Sequence, residues 1–258
     1  MKTHMHQLKL TNKQIQEILT DLRFQLKGFK STESKLQINY DMPEADAEAA
    51  KVYIEPKAWQ KMEGLIQECD KEIAWHGLVE KKAKGEYAIT DIIVFPQTVT
   101  GCTVTSDDTK YSMWLMNQPD EIFNKIRCHG HSHVNMGVSP SGVDTSYQED
   151  ILKNLNTFYI FMIWNKKGDN WCAIYDVESN IVYTDKDIEI ISPGTGDTGW
   201  AKQMIKEFIN VPETTKSKKG KKESSVVDEI MEDMKKDLDD DGYDSYGYNF
   251  YRKYYGQK

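Results

Sequence analysis

The chain has 258 residues, 39% hydrophobic and 29% charged, enough to bury a sizeable core in one domain with extensions or in two small ones. Its formal net charge of −8 argues against nucleic acid as a partner, because phosphate binding needs a basic face. Cys69, Cys102, Cys128 and Cys172 are widely spaced with no C-x-x-C pair, which excludes a cysteine zinc ribbon and gives no reason to expect a disulfide framework.

In chain order, the first thirty residues are polar and amphipathic and lack the apolar core of a signal peptide. No run is long enough to span a bilayer. A cytoplasmic protein with no membrane partner is expected. Residues 11–27, TNKQIQEILTDLRFQLK, predict a helix with an apolar stripe at Ile15, Ile18, Leu19, Leu22 and Leu26, capped by Thr11 or Asn12. With the polar connector that follows, residues 1–48 read as an N-terminal helical extension. KVYIEP predicts a strand ended by proline, and KAWQKMEGLIQECD a helix packing Trp59, Met62, Leu65 and Ile66. KEIAWHGLVEK and EYAITDIIVFPQTV predict one strand each. DDTKYSMWLMNQPDEIFNKI predicts helix with a break at Pro119. IRCHGHSH reads as a strand and SGVDTSYQEDILKNL as a helix. TFYIFMIWN, NWCAIYDV and NIVYTDKDIEIIS read as three successive strands. This order predicts an α/β (α+β mixed) domain over residues 49–192, a mixed β-sheet covered by helices.

Residues 193–211 hold a short helix. Residues 212–258 form a lysine-rich linker and an acidic, tyrosine-rich tail. After Leu238 the tail has almost no aliphatic residues and cannot build a core alone, so it reads either as disordered or as a docking segment. Six tyrosines between Tyr243 and Tyr255 suit a contact with a protein partner or self-association, since tyrosine buries large area at low entropic cost. Asp237, Asp239, Asp241 and Gly242 have the opening spacing of an EF-hand, but Tyr248 stands where the closing glutamate belongs, so they read as a solvated acidic run. The lysines from Lys216 to Lys222 read as a flexible linker.

The densest chemistry lies in CHGHSHVNMGVSPSGVDTSYQED, Cys128 to Asp150, which holds three of the six histidines. On a strand, residues two apart share a face, so His131 and His133 can present both imidazoles to one metal ion. His129 shares that parity, but three such histidines span too far for one tetrahedral ion, which leaves His129 outside the ligand set. Ser141 can cap the next helix and put Asp144 in its first turn with its carboxylate turned back towards the loop. S-x-x-D ahead of an apolar run is equally a capping box. Two histidines and a carboxylate leave a fourth position open, as catalytic zinc requires. Such an ion generates hydroxide from bound water near neutral pH.

The whole pattern resembles the JAMM, or MPN-plus, zinc isopeptidase family (Mov34/JAB type). Its signature is an early glutamate, then much later H-x-H, seven residues and S-x-x-D. Here His131-Ser132-His133, the seven residues Val134 to Pro140, and Ser141-Gly142-Val143-Asp144 match without a gap. The resemblance covers residues 49–192 and implies an MPN-like fold with one Zn2+ per chain held by His131, His133 and Asp144. It also implies Ser141 as the residue that helps hold the tetrahedral intermediate, and Glu72, opening EIAWHG, as general base. The implied activity is zinc-dependent cleavage of isopeptide or peptide bonds, on a protein substrate such as a ubiquitin-like protein, by a compact prokaryotic or viral-type member. The residues support those roles. A zinc-bound water needs a carboxylate to take its proton and deliver it to the leaving amine. Glu72 opens an apolar strand where an acid has no packing reason to sit, whereas Glu68 falls inside the helix and Asp70 in the turn. Two departures stand out: Val134 follows the second histidine where the family commonly has proline, and Trp75 and His76 intervene before Gly77.

Two other readings remain open at this point. A non-haem iron enzyme uses the same two-histidine, one-carboxylate set, although usually on a run of consecutive strands. A non-catalytic MPN scaffold would assemble complexes without chemistry, although here every ligand position is filled.

Overall fold

The computed structural model of the protein describes residues 5–27, 40–100, 103–193 and 198–211. The lysine-rich linker, the aspartate run and the tyrosine-rich tail lie outside the described residues.

The described chain begins with a two-residue strand, β1 (His6–Gln7), and a helix, α1 (Asn12–Lys27), that buries none of its side chains. Strand β2 (Ala50–Ile54) leads into α2 (Pro56–Glu68). Its opening proline loses nothing, because a first-turn N–H has no partner within the helix. The antiparallel pair β3 (Ala74–Ala83) and β4 (Glu86–Ile93) turns at Gly85, whose φ of +76° favours glycine. Short strands β5 (Gln97–Val99) and β6 (Val104–Thr105) follow, then helices α3 (Asp108–Met116) and α4 (Asp120–Phe123) on either side of Pro119. Strand β7 (Ile126–Ser132), helix α5 (Gly142–Lys153) and strand β8 (Phe158–Trp164) come next. The chain continues through β9 (Asn170–Asp176), β10 (Ile181–Thr184) and β11 (Ile188–Ile191) to α6 (Thr198–Phe208) and β12 (Ile209–Asn210).

Among the described residues, nine strands form one mixed sheet in the order β1-β10-β9-β8-β7-β3-β4-β2-β11, and β12-β5-β6 form a small second sheet. The main sheet curls. Tyr87 of β4 packs its ring 5.1 Å from that of Phe158 in β8, although β3 and β7 lie between those strands in the hydrogen-bonded order. Across the same hollow, Tyr87 and Lys81 reach the fully buried Asp176 of β9 at 2.7 and 2.9 Å.

Strand alternation sorts the core. Phe158, Ile160, Met162 and Trp164 enter the main cluster inside the curl, with Met62 and Leu65 of α2 and Ala201 of α6. Tyr159 and Phe161 point the other way, to Ile151 of α5. Ala74, Leu78 and Ile126 use that outer face to pack under Tyr111 and Leu115 of α3. Strand β8 is therefore buried on both faces and reads as an unbroken apolar run.

The sheet reaches past residues 49–192 at both ends. β1 pairs with β10, Met5 enters the core, α6 packs on α2, and β12 pairs with β5. Two sequence expectations need correction. NIVYTDKDIEIIS is not one strand, because a 3-10 turn at Asp185–Asp187 sends β11 to the opposite edge of the sheet beside β2. EYAITDIIVFPQTV is likewise two strands, β4 and β5, in different sheets. No helix among the described residues is long and apolar enough to cross a membrane.

Candidate metal centre

β7, α5 and β8 form a parallel crossover unit: β7 pairs parallel with β8, and the long crossover such a pair requires is supplied by α5. Such a unit brings the C-terminal end of its first strand beside the N-terminus of its helix, the usual place for a site in a mixed sheet. His131 lies at the end of β7, His133 just beyond it, and Asp144 in the first turn of α5.

Their ligand atoms converge. His131 Nε2 lies 3.0 Å from His133 Nε2 and 3.2 Å from Asp144 Oδ1, and His133 Nε2 lies 3.8 Å from Asp144 Oδ2. The edge of a tetrahedron with zinc bond lengths of about 2.0–2.1 Å is about 3.3 Å, so these separations bracket what one small ion requires. Among the described residues this is the group able to hold a metal ion. Both histidines are buried.

Local chemistry orients each donor. His133 Nδ1 faces the carbonyl of Gly137 at 2.6 Å, so Nδ1 carries the proton and Nε2 keeps its lone pair for the centre. Asp144 and Ser141 close a reciprocal capping box. The Ser141 N–H donates to Asp144 Oδ2 at 2.7 Å, and the Asp144 N–H donates to Ser141 Oγ at 3.2 Å. Capping thus engages the same carboxylate that could hold a metal ion, and the exposed Ser141 hydroxyl retains its own proton to donate.

The electrostatics follow from burial and proximity. Burial holds His131 neutral, its pKa pushed down to about 4. The facing Asp144 carboxylate raises that of His133 by favouring its protonated form. Burial works against the Asp144 carboxylate, but the facing His133, the nearby His131 and the Ser141 contacts outweigh it and hold the group well below the usual carboxylate range.

Glu72 reaches this group through strand register. β3 and β7 are antiparallel with Ala74 opposite His131, so continuing the ladder two residues puts Glu72 opposite His133. The Ser132 N–H bond to the Ile73 carbonyl, 2.9 Å, carries that register past the end of the strand. Glu72 itself precedes β3 by two residues rather than opening it. Its side chain is buried, and burial raises its pKa to about 7, with His133 opposing and Asp144 reinforcing the shift.

Three residues that the motif reading passed over hold this geometry. The buried Gln97 amide donates to the Ala74 carbonyl and accepts from the Ala74 N–H, both at 2.8 Å, replacing the strand that β4 no longer provides there. The fully buried Ser132, between the two histidines, accepts from the Ile73 N–H at 3.3 Å. Gly130 leaves room for Trp75, because a Cβ there would fall 2.5 Å from the indole. An alternation of small and polar residues in HGHSH hints at the last two. Nothing local marks Gln97. His129 stays outside the ligand group, its ring 4.6 Å from that of Tyr147 and 5.7 Å from that of the buried His76.

A scan against protein-family models and a search of curated proteins return no match to this chain. The fold and site define a mixed α/β protein in which buried His131 and His133 and half-buried Asp144 form a group able to hold a metal ion.

Proposed function

We propose that the chain is an MPN-like, JAMM-type zinc hydrolase that cleaves isopeptide or peptide bonds, with His131, His133 and Asp144 as ligands and Glu72 as general base. The observation that carries this reading is the placement of a buried carboxylate, with its pKa raised to about 7, opposite His133 of the converging group. A carboxylate that only terminated a strand would gain nothing from burial beside Asp144. A zinc ion in this group would lower the pKa of bound water to about 7 and so supply hydroxide at neutral pH.

The chain's own residues divide the remaining work. Glu72 takes the proton of the attacking water and returns it to the leaving amine, a role suited to a group whose pKa lies near the working pH. Ser141 donates its hydroxyl proton to the carbonyl oxygen as negative charge develops there. Exposed Met136 and Val143, on the connection from His133 to Asp144, offer apolar contacts to an extended substrate segment. A protein substrate, ubiquitin-like in the isopeptide case, fits this open rim. Metal analysis of the purified chain, followed by assay against isopeptide-linked ubiquitin-like conjugates, tests the proposal. Absence of stoichiometric zinc, or turnover unaffected by chelation, would sink it.

A further inference from the structure

A second cavity lies on the other face of the sheet from the His-His-Asp group and shares none of its residues. It has a volume of about 330 Å³, within the range of small-molecule sites. α2 lines it with Trp59 and Glu63, one helical turn apart, and Trp164 from the end of β8 forms the facing wall. The two indoles meet edge to face, with centroids 5.4 Å apart and planes at 66°. Asn170 of β9 and Ile190 of β11 close the sides.

Two polar atoms in this lining are buried without a hydrogen-bond partner among the described residues, Glu63 Oε2 and Trp164 Nε1. Each is costly in isolation, and a buried carboxylate oxygen more so than an indole N–H. Lys61 and Lys166 are engaged elsewhere. Lys61 bonds Asp91 at 2.7 Å and lies over Trp200, and Lys166 bonds Asp70 at 2.7 Å. The lining residues thus carry one carboxylate, two indoles and one N–H without a partner, with no cation among the described lining residues.

We infer that this cavity binds a small organic ammonium carrying an adjacent oxygen acceptor, of the amino-alcohol class. Indole faces attract ammonium groups through the ring quadrupole, most strongly when the cation is desolvated. The Glu63 carboxylate supplies the counter-charge, and the Trp164 N–H takes the ligand oxygen. A neutral ligand of the same shape would leave Glu63 Oε2 unpaired, so charge rather than size sets the selectivity.

Choline is the probe, titrated into the full chain and followed by tryptophan fluorescence and calorimetry. The comparison ligand is 3,3-dimethylbutan-1-ol, which has the same shape without the charge. Wild type should bind choline saturably in the millimolar range or tighter, and the neutral isostere at least about tenfold more weakly, the factor that one lost cation–π and charge contact of about 1.4 kcal/mol gives. Glu63→Gln should weaken choline by a similar factor with its thermal transition retained. Trp164→Phe should remove the preference for choline over tetramethylammonium, which lacks the oxygen. Equal binding of the neutral isostere, or no saturable response to choline, overturns the inference. Because the isostere comparison uses wild type alone, it stands even if a variant fails to fold. The metal ligands are untouched throughout, so the result is independent of the hydrolase reading.

Discussion

The Nδ1 atom of His133 and the carbonyl of Gly137 lie 2.6 Å apart, and this one bond decides which nitrogen of the imidazole faces the candidate centre. With Nδ1 protonated, His133 Nε2 joins His131 Nε2 and an Asp144 oxygen as lone-pair donors. The expected outcome is about one zinc per purified chain, lost when His131→Ala and His133→Ala are combined. Elemental analysis after gel filtration measures it. Unchanged metal content in the double variant would mean the ion sits elsewhere.

Glu72→Gln separates binding from chemistry. The amide is nearly isosteric and cannot accept the water's proton, while all three ligands remain. Zinc content should stay at the wild-type level, and turnover at saturating zinc should fall by about 10²–10⁴-fold, the usual contribution of a general base. Wild-type turnover in the glutamine variant would leave Glu72 as a strand-end acid and place the base elsewhere.

The same residue gives the metal-free protein a pH signature. Burial raises the Glu72 pKa from 4.5 to about 7 in the folded state. Between those values the unfolded chain has released its proton and the folded chain has kept it, so stability falls as pH rises through that window. The penalty is complete above about pH 7, and its upper bound is about 3 kcal/mol. Metal-free Glu72→Gln should therefore melt higher than metal-free wild type at about pH 8, with the gap closing near pH 4. Melting curves across that range check it, and parallel pH profiles for the two proteins would contradict the burial argument. A bound cation favours the ionised carboxylate, so zinc should flatten the wild-type slope.

How much of this was legible in the sequence depends on contact distance along the chain. H-x-H and S-x-x-D sit within fourteen residues, from His131 to Asp144, and depend on strand parity and a helix cap, both local properties. The alternation of strands and helices through the middle of the chain likewise predicted a mixed sheet. Glu72 is different, because its place opposite His133 depends on the register of β3 against β7, some sixty residues away. Gln97 was invisible for the same reason: an amide standing in for a missing strand leaves no periodic trace. The break between β10 and β11 carries no glycine or proline. Asp185 makes it at φ +41°, a conformation that its short polar side chain tolerates.

Gln97 provides a test of that long-range support. Gln97→Leu keeps the volume but leaves the Ala74 N–H and carbonyl without the amide that now pairs them. A buried group left unpaired costs about 1–3 kcal/mol, so with two such groups the variant should lose roughly 2–6 kcal/mol of stability. Because residues 72–74 lose their anchor, turnover should fall more than zinc affinity. Denaturant unfolding together with metal titration separates the two, and equal losses in both would mean that Gln97 serves the fold alone.

Val134 is where this chain departs most sharply from the motif it resembles. It follows His133 directly and has φ +48°, a left-handed conformation rare for a β-branched residue. The conformation is held from outside: the His133 N–H donates to the Trp164 carbonyl, and the Lys166 N–H donates to the Val134 carbonyl, at 2.8 and 2.7 Å. Proline fixes φ near −65° and cannot enter that geometry. Val134→Pro should therefore turn the loop away from Gly137, release His133 Nδ1 and lower both stability and zinc affinity. The stability loss should be about 3 kcal/mol or more, by analogy with proline forced into other incompatible backbone. Val134→Gly is the control, since glycine accepts φ +48° without steric cost and should retain both the fold and the metal. If the proline variant melts and binds zinc like wild type, the loop is not held as described, and the Gly137 bond does not orient His133.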